Sequence, residues 1–311
     1  MPEAVKVFND DRERIGLVGL GNMGRGVAKN LLKHNFPLTV FIRSERAAQW
    51  TKEHPGAHHT RSLRDVAERS DIILLALTDG AAVQQVLFEE NGVMGSLCSA
   101  GVVVDMTTSS PVLVEKTYQR LASQGVAQLD APMSGGATGA HEGKLILMVG
   151  GDADVLERCR PVFTAISRKI VHTGGPGSGQ RVKLLQNQLS FSLFMATCEA
   201  LWMGREQGFD AAMLVDVFQN SNARSYESEF RFPKCILGGQ FESGARINVG
   251  MKDLRLAREV RQALGIELPL AEKVFRYFEL AMEQIGSEED FTRVFEIVKN
   301  SSDFSQIARK V

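Results

Sequence analysis

A short apolar run that leads directly into a glycine turn constrains the fold of this chain more than any other sequence feature. Residues 15–18 read Ile-Gly-Leu-Val, and the pattern G-x-G-x-x-G follows at residues 19–24. Beyond it, apolar residues recur at helical spacing. In a strand–turn–helix unit the first glycine permits a tight turn, the second lets backbone approach a pyrophosphate, and the third lets the helix pack on the strand. The sequence therefore predicts a dinucleotide-binding turn formed by Gly19, Gly21, Asn22, Met23 and Gly24.

Similar apolar runs recur through the first half of the chain and alternate with segments of helical pattern. The runs cover residues 38–43, 71–77, 101–105, 126–130 and 144–149, and the helical segments cover residues 62–69, 80–88, 112–123 and 153–166. This alternation predicts a Rossmann-type, doubly wound α/β domain. Because ligands of such sheets bind beyond the carboxyl ends of the strands, we expect Leu77, Thr78 and Thr108 to line a cofactor cleft. An ordinary turn residue without a ligand is the alternative for each of them.

The end of the second strand indicates which dinucleotide is bound. An NAD site of this kind usually places an acidic residue about 20 positions after the glycines, where it binds the ribose hydroxyls. Here that place holds Ile42, Arg43 and Ser44. Arg43 can hold a 2′-phosphate by charge-assisted hydrogen bonds, whereas a carboxylate would repel it. We expect Arg43 and Ser44 to contact NADP, with NAD as the second candidate; a solvated arginine is the alternative.

The pattern changes in the second half of the chain. From Arg181 up to Gly204 the chain has no proline or glycine. Apolar residues would occupy most faces of a helix formed by this run, which predicts a long buried helix. Later segments at residues 211–219, 251–264, 269–284 and 289–298 are also helical in pattern, and no strand is evident. The sequence therefore predicts a dinucleotide-binding domain at residues 1–176 and an all-α domain at residues 177–311. Since about 135 residues bury such a helix poorly, we expect a homodimer or homotetramer.

A glycine-rich corner at residues 174–179 leads into this helix, and two polar residues follow it. Lys183 and Asn187 are four residues apart and therefore share one helical face. They lie at the junction of the two predicted domains, beside the expected nicotinamide site. Burial disfavours the charged form of a lysine, so Lys183 can exchange a proton near neutral pH. The alternative is a solvated lysine whose stem lies along the helix.

A second glycine-rich segment, residues 130–143, lies between the last two predicted strands. Within it, Ser134, Gly135 and Gly136 can expose successive backbone N–H groups and a hydroxyl, which suits an anion. We therefore expect this segment to hold the carboxylate of a small substrate. A flexible, hairpin-like loop is the alternative.

The composition of the chain limits the classes of partner that we expect it to bind. It has 36 Lys plus Arg and 37 Asp plus Glu, which gives no reason to propose nucleic acid or a membrane as a partner. Its four cysteines have neither CxxC nor metal-ligand spacing, so no metal site is expected. Thiols of this kind, the absence of a signal-peptide pattern and the lack of an apolar run of about 20 residues lead us to expect a cytoplasmic protein.

Four ordered motifs resemble those of the β-hydroxyacid dehydrogenases, the family that contains 3-hydroxyisobutyrate dehydrogenase and glyoxylate/succinic semialdehyde reductase. The glycine turn at residues 19–24 is similar to the cofactor fingerprint, and residues 130–136 are similar to the substrate-binding signature. Residues 177–187 look like the catalytic segment, and residues 252–254, Lys-Asp-Leu, look like a cofactor-proximal motif. The resemblance covers nearly the whole chain.

The resemblance implies an NADP(H)-dependent oxidoreductase that interconverts a small 3-hydroxy acid and its semialdehyde or keto acid. It implies that Lys183 is the catalytic acid/base, that Asn187 supports it and that residues 134–136 hold the substrate carboxylate. It also implies that Thr108 and Lys252 reach the cofactor.

Two departures from the family pattern bear on specificity. Arg43 stands where NAD-using members carry an acidic residue, which favours NADPH. Arg224 and Arg246, in segments expected to face the substrate, can bind a second anionic group, with surface salt bridges as the alternative. An imine reductase of similar fold is a further candidate, but such enzymes generally place Asp or Tyr where Lys183 lies. A non-catalytic nucleotide-binding scaffold is the last candidate, although loss of the lysine would be its expected mark.

Overall fold

The chain divides into two compact units, each with its own hydrophobic core. The computed structural model describes residues 12–98 and 101–300. The first unit is Met1–Lys183 and the second is Leu184–Val311.

Within the described residues, the first unit is built on one sheet of nine strands. They are β1 (Ile15–Val18), β2 (Leu38–Phe41), β3 (His58–Thr60), β4 (Ile72–Leu75), β5 (Val102–Asp105), β6 (Ala127–Asp130), β7 (Met133–Ser134), β8 (Leu145–Gly151) and β9 (Ser167–Gly174). Their order is β3-β2-β1-β4-β5-β6-β8-β7, with β9 paired to β8. Strands β1 to β6 pair in parallel, whereas β8 runs antiparallel to β6 and β7. The chain changes direction across the sheet between β1 and β4, which is where ligands of such sheets bind.

Helices connect the strands and cover both faces of the sheet. They are α1 (Asn22–Lys33), α2 (Glu45–Glu53), α3 (Leu63–Glu68), α4 (Gly80–Phe88), α5 (Pro111–Ala122), α6 (Gly136–Glu142) and α7 (Ala153–Ile166), with a short 3₁₀ turn at Val93–Gly95. Several begin at a side chain that accepts a backbone N–H of the first turn: Ser44 for α2, Ser62 for α3, Asp79 for α4 and Asp152 for α7.

The central strands are apolar on both faces because helices pack on both. In β4, Ile72 and Leu74 point into a core shared with α1 and α7, while Ile73 and Leu75 point into the core on the other face. All four side chains are fully buried. A continuous apolar run, rather than an alternating one, is the sequence pattern of such a strand.

Every strand predicted from the sequence is present, and several strands and α-helices of the first unit were not predicted. These are β3, β7, β9, α2 and α6. Strand β9 pairs only with β8 and leaves most of its residues exposed or half-buried, so no apolar run marks it. Residues 130–143, for which a flexible loop was the alternative, form the end of β6, then β7 and α6.

The second unit is helical. Helix α8 (Ser178–Glu206) begins in the first unit, three residues before the predicted start at Arg181, and continues into the second. The other elements are α9 (Ala211–Gln219), a π-helical segment (Glu227–Ile236), α10 (Ile247–Ala263), α11 (Pro269–Gln284), a 3₁₀ turn (Phe291–Arg293) and α12 (Val294–Asn300). Over the described residues this unit contains no strand, only an isolated bridge between Arg246 and Asp290. The predicted fold class, a Rossmann-type domain followed by an all-α domain, is confirmed.

Packed phenylalanines form the centre of the helical core. The rings of Phe191 and Phe278 meet edge to face at 4.9 Å between centroids, and those of Phe194 and Phe291 at 5.3 Å. In the described part of the chain, no helix has both the length and the apolar composition needed to cross a membrane.

Candidate active site

The glycine turn between β1 and α1 has one open side. Gly19 adopts φ +111°, and a Cβ there would lie 2.2 Å from the Ala76 carbonyl oxygen; a Cβ on Gly24 would lie 1.8 Å from the Gly19 carbonyl oxygen. A Cβ on Gly21, the N-cap of α1, meets no heavy atom of the described residues within 4 Å outside its immediate chain neighbours. The fold itself therefore requires Gly19 and Gly24, whereas Gly21 leaves space that fits a pyrophosphate at the helix N-terminus.

Arginine side chains converge on Asn22 at the same end of α1. Asn22 Oδ1 accepts hydrogen bonds from Arg25 Nη2 at 2.8 Å and from Arg46 Nη2 at 3.5 Å. Burial lowers the pKa of the Arg25 guanidinium, and the nearby charge of Arg46 acts in the same direction. Two like charges at one amide oxygen make this corner favourable for an anion. Met23, the next residue of α1, is instead partly buried against the core.

The turn after β2 presents the predicted Arg43 and Ser44. Ile42 is buried, and Arg43 after it is exposed. Ser44 caps α2 through its hydroxyl. Glu45, two residues after Arg43 in the sequence, pairs with Arg61 at 3.4 Å. Arg43 is thus an exposed residue just beyond the carboxyl end of β2.

Hydrogen bonds join the loops that follow β4 and β5. The Leu77 N–H donates to Thr107 Oγ1 at 3.0 Å, and Thr78 Oγ1 donates to Asp79 Oδ2 at 3.1 Å. Thr108, next to Thr107, is half-buried. Because β4 and β5 are adjacent and parallel, both loops leave the sheet at the same edge. The predicted residues Leu77, Thr78 and Thr108 therefore lie at neighbouring strand ends.

The predicted carboxylate-binding segment lies at the junction of β7 and α6. Ser134 ends β7, opposite Ile146 of β8. Gly135 and Gly136 adopt φ +124° and +62°, which glycine tolerates and other residues rarely do. A Cβ on Gly136 would meet no heavy atom of the described residues within 4 Å. The segment is thus a defined turn with open space at its second glycine.

A buried carboxylate holds the first turn of α8 on the sheet. Asp130, the last residue of β6, is 1% exposed; its Oδ1 accepts the Gly177 N–H at 2.8 Å and its Oδ2 accepts the Gln180 N–H at 2.9 Å. Burial raises the pKa of Asp130 to about 6, although these N–H groups and the charge of Arg181 lower it. Lys183 follows within the same helix and is itself only 7% exposed.

The Gln180 side chain connects the same turn to the loop after β5. It is fully buried; its Nε2 donates to the Thr107 carbonyl oxygen at 2.7 Å, and its Oε1 accepts the Ser109 N–H at 3.1 Å. Neither Gln180 nor Asp130 was among the residues predicted to form the site. The only signal was that each is a polar residue inside a recognised motif.

In the second unit, Asn187 and Lys252 share one carboxylate. Asn187 Nδ2 donates to Asp253 Oδ2 at 2.6 Å, and Lys252 Nζ lies 2.9 Å from Asp253 Oδ1. The Asp253 side chain is only 8% exposed. Asn187 was predicted to support the catalytic lysine, and Lys252 was predicted to reach the cofactor. The structure brings the two together through Asp253, which was not predicted to be a site residue.

The two arginines expected near the substrate form ion pairs on the surface. Arg224 lies 3.3 Å from Glu229, and Arg246 pairs with Glu288. The side chains of both arginines are more than half exposed. Both arginines therefore have the arrangement given above as the alternative to substrate binding, a surface salt bridge. His141, in α6, is also exposed; the part of its ring that is removed from water, together with the charges of Lys29 and Arg25, lowers its pKa.

Comparison with known proteins agrees with this architecture. The family model for the NAD binding domain of 6-phosphogluconate dehydrogenase matches residues 14–174. A second family model, for NAD-binding of NADP-dependent 3-hydroxyisobutyrate dehydrogenase, matches residues 177–298. Together they define a nicotinamide-dependent dehydrogenase with a Rossmann-type unit and a helical unit.

Individual relatives cover nearly the whole chain. NAD-dependent L-serine dehydrogenase of Pseudomonas aeruginosa is 32% identical, over 91% of this chain and 96% of its own. 2-Hydroxy-3-oxopropionate reductase of Escherichia coli is 32% identical, over 92% of this chain and 97% of its own. The solved structure of Psf3 in complex with NADP+ and 2-OPP is 26% identical with a TM-score of 0.85, over 91% and 99%. The chain belongs to the β-hydroxyacid dehydrogenase family and is an NAD(P)-dependent enzyme of that family.

Proposed function

We propose that this protein is an NADP(H)-dependent oxidoreductase that interconverts a small 3-hydroxy acid and its semialdehyde or keto acid, with Lys183 as the acid/base. The observation that carries the proposal is the burial of Lys183, which is 7% exposed at the beginning of α8. Lysine is seldom buried to this extent in folded proteins. A desolvated amine loses much of its preference for the charged form and can exchange a proton near neutral pH.

The reaction assigns a separate task to each predicted residue. When bound, the nicotinamide cofactor accepts or supplies the hydride. In oxidation, Lys183 Nζ takes the proton of the substrate hydroxyl; in reduction, it returns a proton to the alkoxide oxygen. Asn187, one turn further along α8, supports Lys183. The Ser134 hydroxyl and the N–H groups of Gly135 and Gly136 hold the substrate carboxylate. The relatives named for L-serine and for 2-hydroxy-3-oxopropionate support a three-carbon substrate with a terminal oxygen.

NADP preference rests on charge at the carboxyl end of β2. Arg43 is exposed there, and Arg25 and Arg46 lie close by at Asn22. A 2′-phosphate would relieve the repulsion among these guanidinium groups, whereas the hydroxyl of NAD would not. The Pseudomonas relative is named as NAD-dependent, so sequence similarity alone does not decide between NADP and NAD. The other residues proposed to contact the cofactor are Gly19, Gly21, Met23, Gly24, Ser44, Leu77, Thr78, Thr108 and Lys252.

The role of Lys183 is tested by following the absorbance of NADPH with a panel of three- and four-carbon semialdehydes, and of NADP+ with the matching hydroxy acids. Lys183→Met should lower kcat by about 100-fold or more, the usual contribution of general acid–base catalysis. Lys144→Met, which removes an exposed lysine of the same unit, is the control. Equal turnover of Lys183→Met and wild type would refute the proposal.

The cofactor assignment has its own test. Arg43→Asp should reverse the ratio of kcat/KM values for NADPH and NADH, because the new carboxylate repels the phosphate and can bind ribose hydroxyls. Arg160→Asp makes the same change of charge on α7 and should leave the ratio unchanged. A ratio that Arg43→Asp does not alter would show that Arg43 is not in the cofactor site.

We further propose that the active form is a homodimer or homotetramer. Leu185, Leu189 and Leu193 recur every four residues along α8 with exposures of 70%, 61% and 40%. Three exposed leucines on one helical face indicate a surface that a second copy covers. Light scattering of wild type and Leu189→Glu tests this proposal. A wild-type mass of one chain would contradict it.

A further inference from the structure

The start of α8 approaches the sheet more closely than side chains would allow. A Cβ on Gly179 would lie 2.4 Å from the Met148 carbonyl oxygen, and a Cβ on Gly150 would lie 2.4 Å from Asp130 Oδ1. Both contacts are shorter than any Cβ tolerates. Glycine at these two places therefore lets backbone N–H groups of α8 reach the Asp130 carboxylate directly, without an intervening side chain.

Asp130 occupies the place that an N-cap side chain normally holds, but it comes from a strand. A helix leaves its first N–H groups without partners inside the helix, and an acceptor near them stabilises the end. Here the two oxygens of one buried carboxylate accept the N–H groups of Gly177 and Gln180. Because two bonds fix both oxygens, the first turn of α8 cannot rotate about β6 without breaking one of them.

Gln180 extends this connection across the sheet. Its two side-chain bonds hold the backbone of Thr107 and Ser109, and the Thr107 hydroxyl in turn accepts the Leu77 N–H. The loops after β4 and β5, in which Leu77 and Thr108 are proposed to contact the cofactor, are thereby joined to the turn that precedes Lys183. Every group in this chain of hydrogen bonds belongs to the first unit.

We propose that Asp130 and Gln180 are positioning residues that fix the Lys183 amine relative to the cofactor-binding loops of the same unit. The inference rests on the proposed role of Lys183 and assigns the geometry on which that role depends. Neither side chain transfers a proton or touches a reacting atom. A displacement of about 1 Å at a reacting group can cost about 100-fold in rate, so loss of either side chain should act mainly on kcat.

The two residues should give different kinetic signatures. Asp130→Asn removes one acceptor from the first turn of α8 but leaves the Gln180 side chain on the loop after β5. It should lower kcat about 100-fold and leave the Kd for NADPH within about twofold. Gln180→Met keeps the length of the side chain but removes both bonds to Thr107 and Ser109. It should lower kcat and also weaken NADPH binding, because the cofactor-binding loop loses its support.

The experiment measures kcat, KM, the Kd for NADPH and the rate at which an amine-selective acylating reagent modifies Lys183 in the folded enzyme, read by mass spectrometry of the peptide that contains Lys183 after digestion. Gln128→Met is the matched control. Gln128 is a buried glutamine on the same strand as Asp130, with neither side-chain nitrogen nor oxygen hydrogen-bonded within the described structure. The control should leave kcat and the Lys183 modification rate unchanged. Both Asp130→Asn and Gln180→Met should alter that modification rate severalfold.

The outcomes separate this inference from the proposed function. If Lys183→Met abolishes turnover while Asp130→Asn and Gln180→Met keep wild-type kcat and modification rates, positioning is refuted and the acid/base role stands. If Lys183→Met is fully active, the acid/base role fails, and the modification rates alone decide whether the pair holds the amine. Should Asp130→Asn not fold, Gln180→Met against Gln128→Met decides the inference.

Discussion

Asp130→Asn should change how the stability of the first unit depends on pH. Burial raises the pKa of this carboxyl from 3.8 to about 6 in the folded protein. Between these two values the folded state keeps a proton that the unfolded state has released. The contribution of Asp130 to the free energy of unfolding therefore decreases as pH rises through this window, and is level above it. This is the opposite of the usual salt-bridged aspartate.

The magnitude follows from the two pKa values. Each pKa unit of difference corresponds to about 1.4 kcal/mol, so the carboxyl accounts for a decrease of about 3 kcal/mol between about pH 3.5 and pH 7. Asparagine at position 130 has no such titration. The difference in unfolding free energy, wild type minus Asp130→Asn, should therefore become about 3 kcal/mol less favourable to wild type across that range.

The two tryptophans of the chain make the assay specific to one unit. Trp50 is buried in the core of the first unit, whereas Trp202 lies against the helical core. In a Trp202→Phe background, Trp50 fluorescence during urea unfolding reports the first unit alone. Gln128→Met, in the same background, changes a neutral residue on β6 and should differ from wild type by a constant amount at every pH.

Two results would refute this reasoning. A wild-type-minus-variant difference that stays constant would show that the carboxyl titrates near its ordinary value in the folded protein. A difference that shifts in favour of wild type as pH rises would show that the N–H groups of Gly177 and Gln180 outweigh burial and lower the pKa.

Further predictions concern glycines, the buried ion pair and a cysteine. Gly21→Ala should weaken NADPH binding, measured by fluorescence titration, with little change in the urea midpoint, whereas Gly24→Ala should lower that midpoint because its Cβ would meet backbone at 1.8 Å. Arg231→Met should destabilise the helical unit by about 3 to 5 kcal/mol in urea, since Glu227, 1% exposed, would lose its 2.6 Å partner. Burial raises the pKa of Cys159 to about 12, so iodoacetamide at pH 8 should not alkylate it in the folded protein.

The parallel sheet was predictable because its signals are local. Strands such as β4 are short apolar runs, and the glycine turn follows β1 within a few residues. Strand β9 carries no such signal, because residues that border a single neighbour need not be apolar. The π-helical segment Glu227–Ile236 was likewise missed within a linking stretch. Its buried Glu227 depends on Ser190, which comes from helix α8, as well as on Arg231 of the same segment.

The residues of the candidate site also fall into two groups, those with a local signal in the sequence and those without one. Lys183 and Asn187 could be selected from the sequence because a spacing of four residues defines a helical face. Their supporting residues could not be selected, because each depends on a contact between distant parts of the chain. Asp130 lies 50 residues from Gln180, and Asp253 lies 66 residues from Asn187.

The two supporting carboxylates suggest why a short K-x-x-x-N motif is not a sufficient signature of such a site. Asp130 fixes the turn of α8 that precedes Lys183, and Asp253 orients the Asn187 amide and lies beside the Lys252 ammonium. Each acts inside its own unit, and each is nearly inaccessible to solvent. A chain that kept the lysine and asparagine but lost either aspartate would retain the motif without the geometry. If the proposed roles of Lys183 and Asn187 hold, sequence searches for the proposed activity should require both aspartates together with the lysine and the asparagine.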